Sequence, residues 1–76
     1  MVFEKIQQAL AAQFETDSAK ITEDTNIVAD LGADSLDLVE LVMEIENEYG
    51  ISVTDEAIYG CKTVGELTRY IEGLVK

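Results

Sequence analysis

The residue whose setting points most clearly to chemistry is Ser35, in a chain of 76 residues that contains no histidine. A serine that attacks a substrate needs a neighbouring base to take its proton, and that base is usually histidine. No cysteine, lysine or serine of this chain comes with a visible activating partner. The sequence therefore predicts that the protein is not an enzyme, and that Ser35 is a residue acted upon. We interpret it as an attachment point for a prosthetic group.

The residues around Ser35 predict the start of a helix. The stretch LGADSLD, residues 31–37, has a glycine that allows a sharp turn and then Asp34 and Ser35, either of which can cap a helix. An ordinary helix cap is the competing interpretation of Ser35, because serine is common at that position. The helix is expected to end near Tyr49, where Gly50 suits a left-handed turn.

Apolar spacing and capping residues indicate three further helices. The first runs roughly from Val2 to Phe14, and a long loop, residues 15–26, follows it with Ile21 as its apolar anchor. A short helix follows residues 54–56 and breaks at residues 60–62. The last helix opens with a capping box in residues 63–66. We predict one domain, residues 1–76, with an all-α fold: a small bundle of three long helices and one short helix.

The second long helix has two apolar faces. At about 100° per residue, one face is predicted to point into the core; it consists of Leu38, Leu41, Val42, Ile45 and Tyr49. A second stripe consists of Leu36, Val39 and Met43, set among carboxylates. This stripe is either a second buried side in a small bundle or a docking face for partner proteins.

Composition excludes several classes of function. The net charge of -11 repels nucleic acid phosphates and anionic lipid surfaces, and it favours basic protein partners. One cysteine, Cys61, rules out an intramolecular disulfide and is expected to be a partly buried filler. No signal peptide or membrane span is recognisable, so we expect the protein in the cytoplasm, with no stable membrane insertion. We also expect a monomer, and the charge argues against a nucleic acid partner.

An acidic Ca²⁺-binding or interaction module without a covalent group is an alternative from another class. Residues 30–37 contain three aspartates but lack the alternating ligands and the central glycine of an EF-hand loop. We therefore expect no dedicated metal site, although weak cation binding could relieve the repulsion between carboxylates.

The extended run LGADSLDLVELVM, residues 31–43, closely resembles the acyl carrier proteins of dissociated (type II) fatty acid synthesis. The resemblance extends over the whole chain in length, helix order and charge. It implies an up-down bundle in which Ser35 accepts 4'-phosphopantetheine from coenzyme A, through a separate Mg²⁺-dependent phosphopantetheinyl transferase. The thiol of this arm would hold acyl groups as thioesters.

The resemblance also implies roles for other residues. Asp34 would cap the helix beside the phosphodiester on Ser35, where free N–H groups and the helix dipole favour an anion. Asp37 would face the transferase, and Leu36, Val39, Glu40, Met43 and Glu46 would meet the basic faces of synthesis enzymes and acyltransferases. The acyl chain would lie between helices, in a cavity lined by Leu38, Leu41, Ile45, Ile58 and Leu67.

Three departures from the family pattern concern partner preference. Thr54 occupies a position where many relatives have proline, Asn47 interrupts an acidic edge, and residues 60–62 form an unusual junction. A D-alanyl or peptidyl carrier, or an acyl carrier for a polyketide pathway, would share the modified serine. The sequence leaves open the acyl chain carried and the pathway served.

Overall fold

The computed structural model describes residues 2–75, and its regular structure over that range is helical. The elements are α1 (Val2–Gln13), a 3-10 turn (Ser18–Lys20), α2 (Ser35–Tyr49), α3 (Asp55–Gly60) and α4 (Val64–Val75). The predicted all-α bundle of three long helices and one short helix is confirmed. The 3-10 turn was not predicted: the sequence indicates only a loop there, and besides its local cap, Asp17, the turn is held by the distant side chain of Gln7.

Helix α1 ends in a left-handed residue that is not glycine. Glu15 has φ of 51°, and the N–H of Thr16 donates to the carbonyl of Ala11 at 3.0 Å. This is the hydrogen bond of a Schellman motif, in which the left-handed residue is usually glycine. Phe14, predicted as the last helical residue, lies just beyond the helix, but its N–H still donates to the Leu10 carbonyl at 2.9 Å.

The core forms where α1 packs against both α2 and α4, and α3 packs against α2. Ile6, Leu41 and Ile71 are fully buried and represent the three long helices in it. Of the predicted core face of α2, four residues are buried, and Tyr49 is half-buried at the edge of the core. Ile21 is buried as predicted and anchors the long loop.

Backbone hydrogen bonds tie the long loop to the start of α4; we call these contacts, between residues 23–27 and residues 62–65, the backbone clamp. They run from the N–H of Ile27 to the Lys62 carbonyl at 2.9 Å, from Val64 to Thr25 at 3.0 Å, and from Gly65 to Glu23 at 2.8 Å. A β-carbon on Gly65 would lie 3.0 Å from the Glu23 carbonyl oxygen, so glycine permits this close approach. The clamp fixes the chain just before the segment that carries Ser35.

Candidate functional site

Ser35 is the first residue of α2, and its side chain is exposed. The cap of this helix is Asp34, whose Oδ1 accepts a hydrogen bond from the N–H of Asp37 at 2.9 Å. Asp37 completes a capping box, because its Oδ2 accepts from the N–H of Asp34 at 3.1 Å. Asp34 thus acts as predicted, and the Ser35 hydroxyl is not the cap.

The loop before Ser35 is held by its own hydrogen bonds. Asn26 Oδ1 accepts from the N–H groups of Val28 and Ala29 at 3.0 and 2.8 Å, and the Ala33 N–H donates to the Ile27 carbonyl at 3.2 Å. Gly32 has φ of 72°, which confirms the sharp turn that its position predicts. The serine is therefore presented on an ordered approach.

A cleft of about 520 Å³ lies beside Ser35, and we call it the Ser35 cleft. Its apolar lining comes from both sides of the serine and from α3 and the residue after it: Val28, Ala29, Ala33, Leu38, Tyr59 and Cys61. Its polar lining includes Asp34, Asn26 and Lys62. Val28 and Tyr59 are large apolar side chains at the surface, with exposed fractions of 49% and 59%. The cleft can therefore accept a flexible, mostly apolar group that starts at the serine.

The residues predicted to line an acyl cavity are all buried in the bundle: Leu38, Leu41, Ile45, Ile58 and Leu67. Leu38 is the member of this set that also lines the Ser35 cleft. Leu41 and Ile45 have no exposed surface, so they belong to the closed core. The open space lies nearer to Tyr59, Cys61 and Lys62, which apolar periodicity does not pick out.

The second stripe of α2 lies at the surface. Leu36 and Met43 are 64% and 55% exposed, and Val39 is half-buried. This exposure removes the alternative in which Leu36 and Met43 form a second buried side. Glu40 is exposed beside them. The stripe is thus an apolar strip with acidic neighbours, running from the residue after Ser35.

Three carboxylates on α2 have structural partners that the sequence did not reveal. Glu46 Oε2 accepts from the N–H of Val53 at 2.7 Å, which holds the loop between α2 and α3. Asp37 belongs to the capping box. Glu48 pairs with Lys5 of α1 at 2.6 Å, and this contact raises the pKa of the Lys5 ammonium group.

Cys61 is half-buried, as expected for a filler. Burial, and then the nearby Glu66 carboxylate, raise the pKa of its thiol, which keeps the thiolate scarce at neutral pH. Within residues 2–75, no three acidic or thiol side chains come together in a way that could hold a metal ion. Over the same range, every helix is too short or too polar to span a membrane.

Comparison with known families and proteins gives a consistent result. The profile of a family described as "Phosphopantetheine attachment site" matches residues 4–71. The acyl carrier protein of Helicobacter pylori (strain G27) is 44% identical over 71 residues, which cover 93% of this chain and 91% of that protein.

Solved structures agree with the sequence comparison. An acyl carrier protein from Enterococcus faecalis superposes with a TM-score of 0.83 at 33% identity, covering 96% of this chain and 92% of that one. A protein from Mycobacterium tuberculosis, described as a candidate acyl carrier protein, gives a TM-score of 0.87 at 32% identity, with 96% and 97% covered.

Proposed function

Because this chain belongs to the acyl carrier proteins, which have a phosphopantetheine attachment site, we propose that Ser35 is the residue to which its phosphopantetheine arm is attached. The protein is a carrier and not an enzyme, and its cofactor is covalently bound phosphopantetheine. When attached, the arm supplies a thiol that holds acyl groups as thioesters.

The observation that supports the attachment site is that Asp34, and not Ser35, caps α2. Asp34 caps α2, so the exposed Ser35 hydroxyl has no capping role to give up when it is esterified. A phosphodiester there would sit at the N-terminus of a 15-residue helix, where the helix dipole favours an anion. The Ser35 cleft gives the arm a place to lie that begins at the point of attachment.

We propose that the exposed stripe of α2 is the docking face for partner enzymes. Leu36, Val39 and Met43 would supply apolar contact, and Glu40 and Glu46 would orient basic partners. Asp37 lies close to Ser35 and would face the phosphopantetheinyl transferase. Methionine suits a face that several enzymes use in turn, because its side chain adapts to different shapes.

We propose fatty acid synthesis as the pathway, and the cytoplasm as the compartment. The support for the pathway is the sequence around Ser35 together with the acidic second helix. A single cysteine that has no disulfide partner fits a reducing compartment.

The attachment site can be tested by intact mass spectrometry. The purified chain is incubated with coenzyme A, Mg²⁺ and a broad phosphopantetheinyl transferase, beside the variants Ser35→Ala and Ser52→Ala. Ser52 is another exposed serine and serves as the matched control. We expect one added arm on the wild type and on Ser52→Ala, and none on Ser35→Ala. An arm on Ser35→Ala would overturn the proposed site.

The pathway is tested on the loaded protein. A malonyl transferase of fatty acid synthesis should charge the arm, whereas an amino-acid adenylating enzyme should not. Charging by the adenylating enzyme alone would identify a D-alanyl or peptidyl carrier, and the proposed pathway would then be wrong.

A further inference from the structure

Lys62 shares the Ser35 cleft with Asp34 and Ser35. We propose that Lys62 is a positioning residue for the phosphodiester on Ser35, and that it turns the arm along the cleft toward Tyr59 rather than outward into solvent. This inference rests on the proposed attachment of the arm to Ser35.

The backbone of Lys62 is held in place relative to the serine loop. Its carbonyl accepts from the N–H of Ile27 at 2.9 Å, as part of the backbone clamp, and its own N–H donates to Glu66 Oε1 at 2.9 Å. The next residue, Thr63, forms an isolated antiparallel bridge with Asn26, which also lines the cleft. The ammonium group therefore extends from a fixed point beside the loop that leads to Ser35.

The charges around Ser35 create a need for a cation. Asp34 and Asp37 place two carboxylates next to the attachment point, and the N–H of Asp37 is already used by the Asp34 side chain. A phosphodiester adds another negative charge at this place. Lys62 is the cation among the residues that line the cleft.

Lys62 is also available for this role. Lys5 is paired with Glu48, and Arg69 lies 3.8 Å from Glu23. Across residues 2–75, the ion pairs that form leave Lys62 without a carboxylate partner. In a chain with five basic residues against 16 acidic ones, an unpaired lysine in the cleft beside the modified serine is the natural counter-charge for a phosphate.

The other wall of the cleft explains the direction that the arm would take. Val28 and Tyr59 present exposed apolar surface there, and Leu38 lies deeper. The methyl and methylene groups of a pantetheine arm would cover part of this surface once the phosphodiester is drawn toward Lys62. An exposed ion pair is weak, so we expect Lys62 to change the population of the folded-back arm by roughly two- to fivefold.

The experiment uses protein whose loading has first been checked by intact mass. The ³¹P resonance of the phosphodiester and the NOEs between arm protons and the Tyr59 ring are compared in wild type, Lys62→Gln, Lys62→Arg and Lys20→Gln. Lys20→Gln is the matched control, because it removes the same charge from an exposed lysine that does not line the cleft. Circular dichroism confirms that each variant is folded.

We expect Lys62→Gln to shift the ³¹P resonance and to weaken the Tyr59 NOEs by roughly two- to fivefold. Lys62→Arg should restore both signals, and Lys20→Gln should leave both unchanged. Raising the salt concentration of the wild type should reproduce the effect of Lys62→Gln, because salt screens an exposed ion pair. Unchanged signals in fully loaded Lys62→Gln would overturn the role of Lys62 alone, whereas a failure to load Ser35 would overturn the attachment site itself.

Discussion

Asp34 and Asp37 exchange hydrogen bonds, each carboxylate accepting from the other residue's backbone N–H, at 2.9 and 3.1 Å. Ser35 lies between them in sequence, and its hydroxyl remains exposed. The helix start is thus stabilised by two aspartates that flank the serine in sequence, one directly before it and one two residues after it.

This reciprocal cap predicts the effect of removing it. Asp34→Ala should lower the free energy of unfolding by about 1 kcal/mol, because the N–H of Asp37 loses its acceptor. Asp34→Asn keeps an acceptor oxygen and should cost much less. Urea denaturation followed by circular dichroism measures both. Equal losses in the two variants would show that the charge of Asp34, and not its hydrogen bond, stabilises the helix.

The exposed stripe predicts a substitution that separates binding from stability. Leu36→Ala should weaken binding to a basic synthase or to malonyl transferase by about five- to tenfold, which corresponds to about 1 kcal/mol or slightly more. Its stability should hardly change, because Leu36 is 64% exposed. Leu74→Ala, which truncates an exposed leucine on α4, should leave the affinity within about twofold. Calorimetric titration gives the affinities; equal losses in both variants would contradict a docking face on α2.

The end of α1 predicts a stabilising substitution. Glu15 adopts a left-handed conformation and places a negative charge at the carboxyl end of a helix, and both features are unfavourable. Glu15→Gly should raise the free energy of unfolding by about 1 kcal/mol. Glu15→Ala removes the charge but keeps the backbone strain, so it should gain less. Thermal or urea unfolding distinguishes them, and a larger gain for alanine would be inconsistent with strain at this position.

Two glycines of α4 predict opposite effects of the same change. Gly65→Ala should destabilise the protein by about 1 kcal/mol, because the new β-carbon would lie 3.0 Å from the Glu23 carbonyl oxygen within the backbone clamp. Gly73→Ala should stabilise it by about 0.5 kcal/mol, since open space surrounds that position and alanine favours helix. Denaturation curves of the two variants give the signs. A gain in stability from Gly65→Ala would show that the backbone of the clamp moves away from the added β-carbon at little cost in free energy.

The capping box of α4 predicts a pH dependence. The N–H of Thr63, and then that of Lys62, donate to the Glu66 carboxylate and hold its pKa below the ordinary value of 4.5. Because the folded state lowers this pKa, the stabilising effect is present above the unfolded value and is lost as the pH falls through the folded value. The free energy of unfolding of the wild type should therefore exceed that of Glu66→Gln near neutral pH, and this difference should shrink as the pH falls below about 4.5.

The comparison with Glu66→Gln is essential to this measurement, because acid also relieves the repulsion among the other carboxylates and so raises stability. Glutamine keeps an acceptor in the capping box but does not titrate there. The difference between the two unfolding free energies isolates Glu66. A difference that stays constant through the acidic range would rule out the contribution.

Local signals made much of the fold predictable from sequence. Asp34 and Gly50 mark the two ends of α2 because a cap and a left-handed turn depend on a few adjacent residues. The Thr63 and Glu66 capping box marks the start of α4 for the same reason. Helical periodicity also predicted the second apolar stripe of α2, whereas its exposure became clear only from the packing of the bundle.

Contacts between distant segments could not be predicted in this way. The Gln7 side chain donates to the carbonyls of Ser18 and Ile21, both at 2.8 Å, and so holds the 3-10 turn against α1. Glu46 holds the N–H of Val53 across the loop after α2. Each of these polar pairs depends on where the helices pack, and nothing in the spacing of residues along the chain encodes that.

The position of the cleft was missed for a related reason. Periodicity identifies which side chains point inward, and Leu41 and Ile45 do so completely. It does not show where packing leaves a gap. That gap depends on how the six-residue helix α3 and the junction after it lie against the serine loop, which places Tyr59 and Lys62 on its wall.

The hydrogen bonds of the backbone clamp depend on main-chain atoms and, except at Gly65, not directly on the side chains of the residues that form them. Since main-chain atoms form it, most substitutions at residues 24–27 or 62–64 leave its N–H and C=O groups intact, whereas an insertion or deletion in either segment would shift their register. Exposed positions such as Asp24 are therefore free to vary, whereas Ile27 and Val64 are fixed by the core, Asn26 by its side-chain hydrogen bonds, and the length of either segment by the clamp. The exposed surface around Ser35 can therefore change in sequence while the position of Ser35 relative to the helices is preserved for partner enzymes.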